Sequence, residues 1–107
     1  MRIGFHNIPT KMKPGDVWPV ALRVTNKSED AFEVTVKLVA RKSKSKWSGY
    51  LGTMRFDVGA NSDQVYPSNI RFKMPDNTTE ISALAEVKNK TTGKTRRVKK
   101  SKKIYVL

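Results

Sequence analysis

The fold is decided by Lys13–Arg41, which reads KPGD (13–16), VWPVALRVTN (17–26), KSED (27–30) and AFEVTVKLVAR (31–41). Trp18, Val20, Leu22 and Val24 alternate with Pro19, Ala21, Arg23 and Thr25. Past a polar break, Phe32, Val34, Val36, Leu38 and Ala40 alternate with Glu33, Thr35, Lys37, Val39 and Arg41. A period of two places each apolar set on one side of a pleated strand. The expectation is a pair of strands joined through Asn26-Lys27-Ser28-Glu29-Asp30, with one oily and one wet face, as in an antiparallel sheet that covers a core on one side. Two strands do not stand alone, so the rest of the chain must supply a second layer.

Working outward, Arg2–Ile8 carries Ile3 and Phe5 and reads as a short first strand. Lys13-Pro14-Gly15-Asp16 is a turn in which Pro fixes one φ and Gly tolerates a positive one. Pro19 lacks a donor and is expected near a strand's start or on an unpaired side. Residues 42–49, KSKSKWSG, have no apolar period and read as an exposed connection. A fourth strand follows, with Tyr50, Gly52, Met54, Phe56 and Val58 in alternation. A fifth spans about 64–74, interrupted by Pro67, with Ile70, Phe72 and Met74 inward. In a sixth, Ile81, Ala83, Ala85 and Val87 alternate. Asn89–Lys94 is a Gly-containing hairpin connection. The last segment, about 95–107, returns to the sheet at Val98, Ile104 and Val106, although its middle is too polar for core. About seven short strands, with turns between them and no helix pattern, predict an all-β sandwich of two antiparallel sheets.

At 107 residues the chain is expected to form one domain over 1–107. A domain of this size buries roughly 65% of the surface its unfolded chain exposes. With no cysteine, disulfides and thiolate metal sites are excluded. No apolar run approaches a membrane span, and MRIGFHNIPTK has no hydrophobic region like that of a signal peptide. The chain is therefore expected either to be used without classical secretion, in a virion or inside a cell, or to begin after a removed signal, with an extracellular surface as the other setting.

Charge is the second strong feature. Lys and Arg number 22 against 9 acidic residues, a net of +13, and nine of the basic residues but none of the acidic ones lie in 87–107. Such a field favours polyanionic partners.

Pro14-Gly15-Asp16 ahead of Val20-Ala21-Leu22-Arg23-Val24-Thr25-Asn26 resembles the opening of immunoglobulin-like domains of the CARDB kind, the cell-adhesion-related domain found in bacteria. In that pattern a Pro-Gly turn precedes a strand ending in Asn. Phe56-Asp57-Val58-Gly59-Ala60-Asn61-Ser62 and Phe72-Lys73-Met74-Pro75 resemble its later strands, with Gly59-Ala60 standing where the family has Pro-Gly. The resemblance covers most of residues 13–98. It implies an immunoglobulin-like sandwich serving in adhesion, as a spacer, or as an accessory module of surface and virus-particle proteins, with no catalytic residues.

Two stretches carry candidate binding chemistry. Arg96-Arg97, Lys99-Lys100 and Lys102-Lys103 are three doublets repeated every three residues. In an extended strand they span about 23 Å and project from both faces. Phosphates or sulfates along a polyanion would neutralise such a ladder, with steep salt dependence and slight sequence preference. The other reading is a solvated edge whose lysines prevent aggregation. The second stretch, Arg41 to Tyr50, interleaves Lys42, Lys44 and Lys46 with Trp47 and Tyr50. Rings among cations suit single-stranded nucleic acid or a protein interface. Alternatively, Tyr50 simply starts the next strand and Trp47 folds over the sheet margin.

Catalytic patterns are missing. His6 is the single histidine, and no Ser or Thr has a positioned partner in sequence. Asp76, Asn77 and Glu80 share a loop without EF-hand spacing, and no phosphate-cradling Gly loop occurs. No cofactor is expected. The expected function is a non-catalytic module docking through its basic edge on an acidic protein partner in a capsid, tail or surface layer, or else a nucleic-acid binder of slight sequence preference.

Overall fold

The computed structural model describes residues 1–42 and 48–107, with Ser48 as backbone only. The described residues form eight strands and no helix: β1 (Arg2–Phe5), β2 (Lys11–Met12), β3 (Val17–Asn26), β4 (Phe32–Lys42), β5 (Ser48–Val58), β6 (Ser62–Lys73), β7 (Thr79–Asn89) and β8 (Thr95–Val106). They make two sheets, a three-stranded one ordered β1-β3-β6 and a five-stranded one ordered β2-β8-β7-β4-β5. The alternation read from the sequence sets the burial. Trp18, Val20, Leu22 and Val24 from β3 share one buried cluster with Val34, Val36, Leu38 and Ala40 from β4. Ile81, Ala83, Ala85 and Val87 from β7 and Phe72 from β6 also belong to it.

The two deciding strands are not neighbours. β3 pairs with β6 and β1, whereas β4 pairs with β5 and β7. The link between them is a corner that crosses from one sheet to the other, so their oily faces line opposite layers of the same core. Asn26, 2% exposed, fixes this corner. Its amide donates to the carbonyls of Asp30 (2.8 Å) and Gly59 (2.9 Å), and its Oδ1 accepts from the Ser28 amide (3.1 Å) and hydroxyl (2.9 Å). A buried polar side chain must be satisfied in this way or cost stability.

Other expectations need correction. The sheets are not both antiparallel, because β2 runs parallel to β8 at Lys11–Tyr105 and Met12–Val106, so the larger sheet is mixed. The strands number eight rather than seven. The first strand stops at Phe5 instead of Ile8, and a two-residue β2 forms between it and the Lys13–Asp16 turn. β6 runs unbroken through Pro67, which an edge strand tolerates. The irregularity appears instead in the β3–β6 register between Pro19 and Ala21, where the Ser68 hydroxyl donates to the Val20 carbonyl (2.6 Å). Pro19 lies beyond the reach of β1, whose pairing ends at Leu22.

The turns follow their chemistry. Gly15 has φ 91°, and the Asp16 carboxylate accepts from the Lys13 amide at 3.1 Å. Gly93 has φ 74° in the β7–β8 hairpin, where Asn89 Oδ1 accepts from the Thr91 and Thr92 amides.

Candidate basic edge

β8 is a strand in spite of its polarity because it is tied at both ends and along one side. The hairpin sets its start, Ile104 is fully buried, and Val98 and Val106 pack against the core. Its ladder with β7 is continuous from Thr95 opposite Lys88 to Ile104 opposite Thr79, with no bulge. Residues directly opposite in an antiparallel pair share a face. Arg96, Lys100 and Lys102 lie opposite Val87, Ala83 and Ile81, whose side chains are buried, so these three cations occupy the core-facing side. Arg97, Lys99 and Lys103 lie opposite Glu86, Leu84 and Glu80 on the outer side.

All six are exposed, including the three on the core-facing side. The five-stranded layer has two strands more than the three-stranded one, and β8 has only the two-residue β2 beyond it. Glu80 and Glu86 are in register with Lys103 and Arg97, yet none of the six cations forms an ion pair with a described residue. Among the described residues the ladder therefore has no ion-pair partner.

The second predicted stretch divides. Lys44, Lys46 and Trp47 lie outside the described residues. Lys42 is half-buried at the end of β4, in register with Thr79 of β7. Tyr50 does not continue the inward alternation of Met54 and Val58. A bulge between Leu38 and Val39 shifts the β4–β5 register there, so Tyr50 faces outward opposite Val39, 62% exposed. Its hydroxyl lies 2.6 Å from the Thr53 hydroxyl, and Lys37 Nζ lies 5.8 Å from its ring centroid. Tyr50, Val39, Ser82 and Ser101 form one row across the outer face. Tyr50 thus shares a face with Arg97, Lys99 and Lys103, at about 14 Å from β8 by strand spacing.

Lys37 and Leu84 went unnoticed as site residues. With Glu86, Arg97 and Lys99 they line a shallow groove on this outer face, and Leu84 is 39% exposed. The outward phase of Lys37 in the β4 alternation was the available signal. On the opposite layer, Arg2, Arg23, Lys27 and Asp63 line another cavity. Arg23 holds Asp63 through two bonds of 3.0 and 2.8 Å, and Thr25 adds one of 3.2 Å. Among the described residues no group of three or more His, Cys, Asp or Glu is placed to hold a metal ion. No described helix is long and apolar enough to cross a membrane.

No protein-family model matches this chain, and no curated protein is similar to it. Among solved structures it is similar to Spo0M, the sporulation control protein from Bacillus subtilis, with a TM-score of 0.52 at 14% identity. The match covers 98% of this chain and 48% of that one, so the chain spans about half the length of its structural neighbour. At that identity the likeness concerns the fold alone.

Proposed function

We propose that this protein is a non-catalytic interaction module that docks on an acidic protein partner through β8, as an accessory part of a larger assembly. The observation that carries this reading is the state of the six cations Arg96, Arg97, Lys99, Lys100, Lys102 and Lys103. All are exposed on one strand, without a carboxylate partner among the described residues. Six cations in eight positions exceed what edge protection needs. The finer architecture we infer is an immunoglobulin-like sandwich of the CARDB kind. Its support is the Pro14-Gly15-Asp16 turn, the Asn26 that ends β3, and two sheets around one core. A surface layer or a virus particle is the kind of assembly that the CARDB resemblance suggests.

A second reading is a nucleic-acid binder of slight sequence preference. It is favoured by Tyr50, an exposed ring on the same face as Arg97, Lys99 and Lys103. Aromatic stacking beside a cationic track suits a single strand.

One titration separates the two. Binding of an acidic polypeptide, mixed-sequence DNA and mixed-sequence RNA is measured across a salt series, with wild type and a variant in which all six cations are Gln. The acidic-partner reading expects polypeptide binding that falls at least tenfold in the variant. Binding of nucleic acid alone, weakened by Tyr50→Ala, replaces it with the second reading. An absence of binding to any polyanion at low salt removes both.

A further inference from the structure

We infer that β8 takes its ligand as an added strand: an extended acidic peptide pairing along Arg97–Lys103 in the plane of the five-stranded sheet. This rests on the reading that β8 docks an acidic partner, and it specifies how.

The backbone parity of β8 supplies the first argument. Residues along an antiparallel strand direct their N–H and C=O groups to alternate sides. The Tyr105 amide donates to the Thr10 carbonyl (2.9 Å) and the Leu107 amide to the Met12 carbonyl (2.9 Å), both on the side away from β7. Because the β7–β8 register has no bulge, Arg97, Lys99, Ser101 and Lys103 turn their N–H and C=O groups to that same side. β2 occupies that side only at Tyr105 and Val106, and no described strand continues beside 95–103. Four donors and four acceptors thus line an open edge about 20 Å long, the arrangement that receives a peptide by strand addition.

The distribution of charge supplies the second. Three cations project from each face of β8. A ligand lying flat on the outer face meets Arg97, Lys99 and Lys103 and leaves Arg96, Lys100 and Lys102 unused. A strand in the sheet plane sends alternate side chains to both faces and meets all six. Exclusion is built from the same groups. A second copy of β8 would set six cations against six, and directly opposed like charges destabilise a strand pair. The edge rejects its own kind and neutral strands gain nothing from its charge, so acidic segments are selected.

The test uses the full chain, isotopically labelled, with an eight-residue probe of six Glu and two Val. Amide exchange is followed residue by residue at low salt. Strand addition expects exchange at the Arg97, Lys99, Ser101 and Lys103 amides to slow at least tenfold at saturation. The Arg96, Val98, Lys100 and Lys102 amides, already paired with β7, should change little. Ser101→Pro retains every charge and removes one outward N–H, and should weaken the probe at least tenfold. If the probe binds without protecting those four amides, and Ser101→Pro binds as wild type, strand addition is wrong while the acidic-partner reading survives. If the probe fails to bind and DNA or RNA binds, strand addition is overturned in favour of a nucleic-acid surface. If neither the probe nor any polyanion binds, the parent reading fails and takes this inference with it.

Discussion

Asn26 shows how one side chain holds the two layers in relation to each other. Its four hydrogen bonds reach Ser28 and Asp30 within the corner and Gly59 in the turn between β5 and β6. Asn26→Ala removes all four bonds from a side chain that is itself buried, and each such bond contributes about 0.5–1.5 kcal/mol net. We expect a loss of about 2–4 kcal/mol in urea unfolding, with the m-value unchanged. Facing along β3 is tested by its neighbours. Leu22 is fully buried and Leu22→Ala should cost about 2–4 kcal/mol, whereas Pro19, which faces out, should accept Ala with little change. The Arg23–Asp63 pair is exposed and its effect lies in its pH dependence. The Arg23 hydrogen bond holds the Asp63 carboxyl below its ordinary value, against a smaller desolvation effect that raises it. The stabilisation is therefore complete above the ordinary carboxylate range and is lost as pH falls through the lowered folded value. The difference in melting temperature between wild type and Asp63→Asn should stay constant above that range and shrink below it.

At the level of strands, the seam between β5 and β6 leaves no room for a side chain at Gly52. A Cβ at Gly52 would stand 2.7 Å from Ile70 Cγ1 and 2.8 Å from Cδ1. Farther along, Phe56 stacks on Tyr66 with centroids 4.2 Å apart, and the Tyr66 hydroxyl donates to the Asp57 carbonyl at 3.1 Å. Gly52→Ala should destabilise by about 1–3 kcal/mol, as overpacking does. Pairing it with Ile70→Ala should recover part of that loss, measured as a double-mutant cycle. These strands also mark what could be read from the chain. Alternation reveals which side of a strand is buried, so β3, β4 and β7 are legible residue by residue. It does not reveal which strand lies alongside, so β3 and β4 read as partners although a buried Asn turns the chain between sheets. β2 has two residues and no period to detect. The cations of β8 were legible as a ladder. That they project from both faces was legible as well; which three lie on the core-facing side, and the open edge between them, required the β7 register. Tyr50 was misplaced because a single bulge reverses the phase of everything beyond it.

For the molecule as a whole, the net charge of +13 is a standing repulsion concentrated near one margin. Self-repulsion of this kind opposes the compact state and is screened by salt. Melting temperature should therefore rise as salt increases, and rise less in the variant carrying Gln at all six β8 positions. That variant should be at least as stable as wild type at low salt, since none of the six side chains has an ion-pair partner to lose among the described residues. A flat salt response in wild type would place the charge too far apart to matter.

The corner at Asn26 also governs the order in which a chain leaving the ribosome acquires structure. β4 and β5 are joined end to end and pair as soon as both have emerged. β3 emerges before either, yet it waits for its long partner, since Val17 pairs with Lys73 and Asn26 with Ser62. Until β6 arrives, the apolar face of β3 has only the four-residue β1 paired beside it. Nascent chains halted before residue 62 should therefore recruit holdase chaperones, and release should come only once β6 and β7 are free to close the two layers.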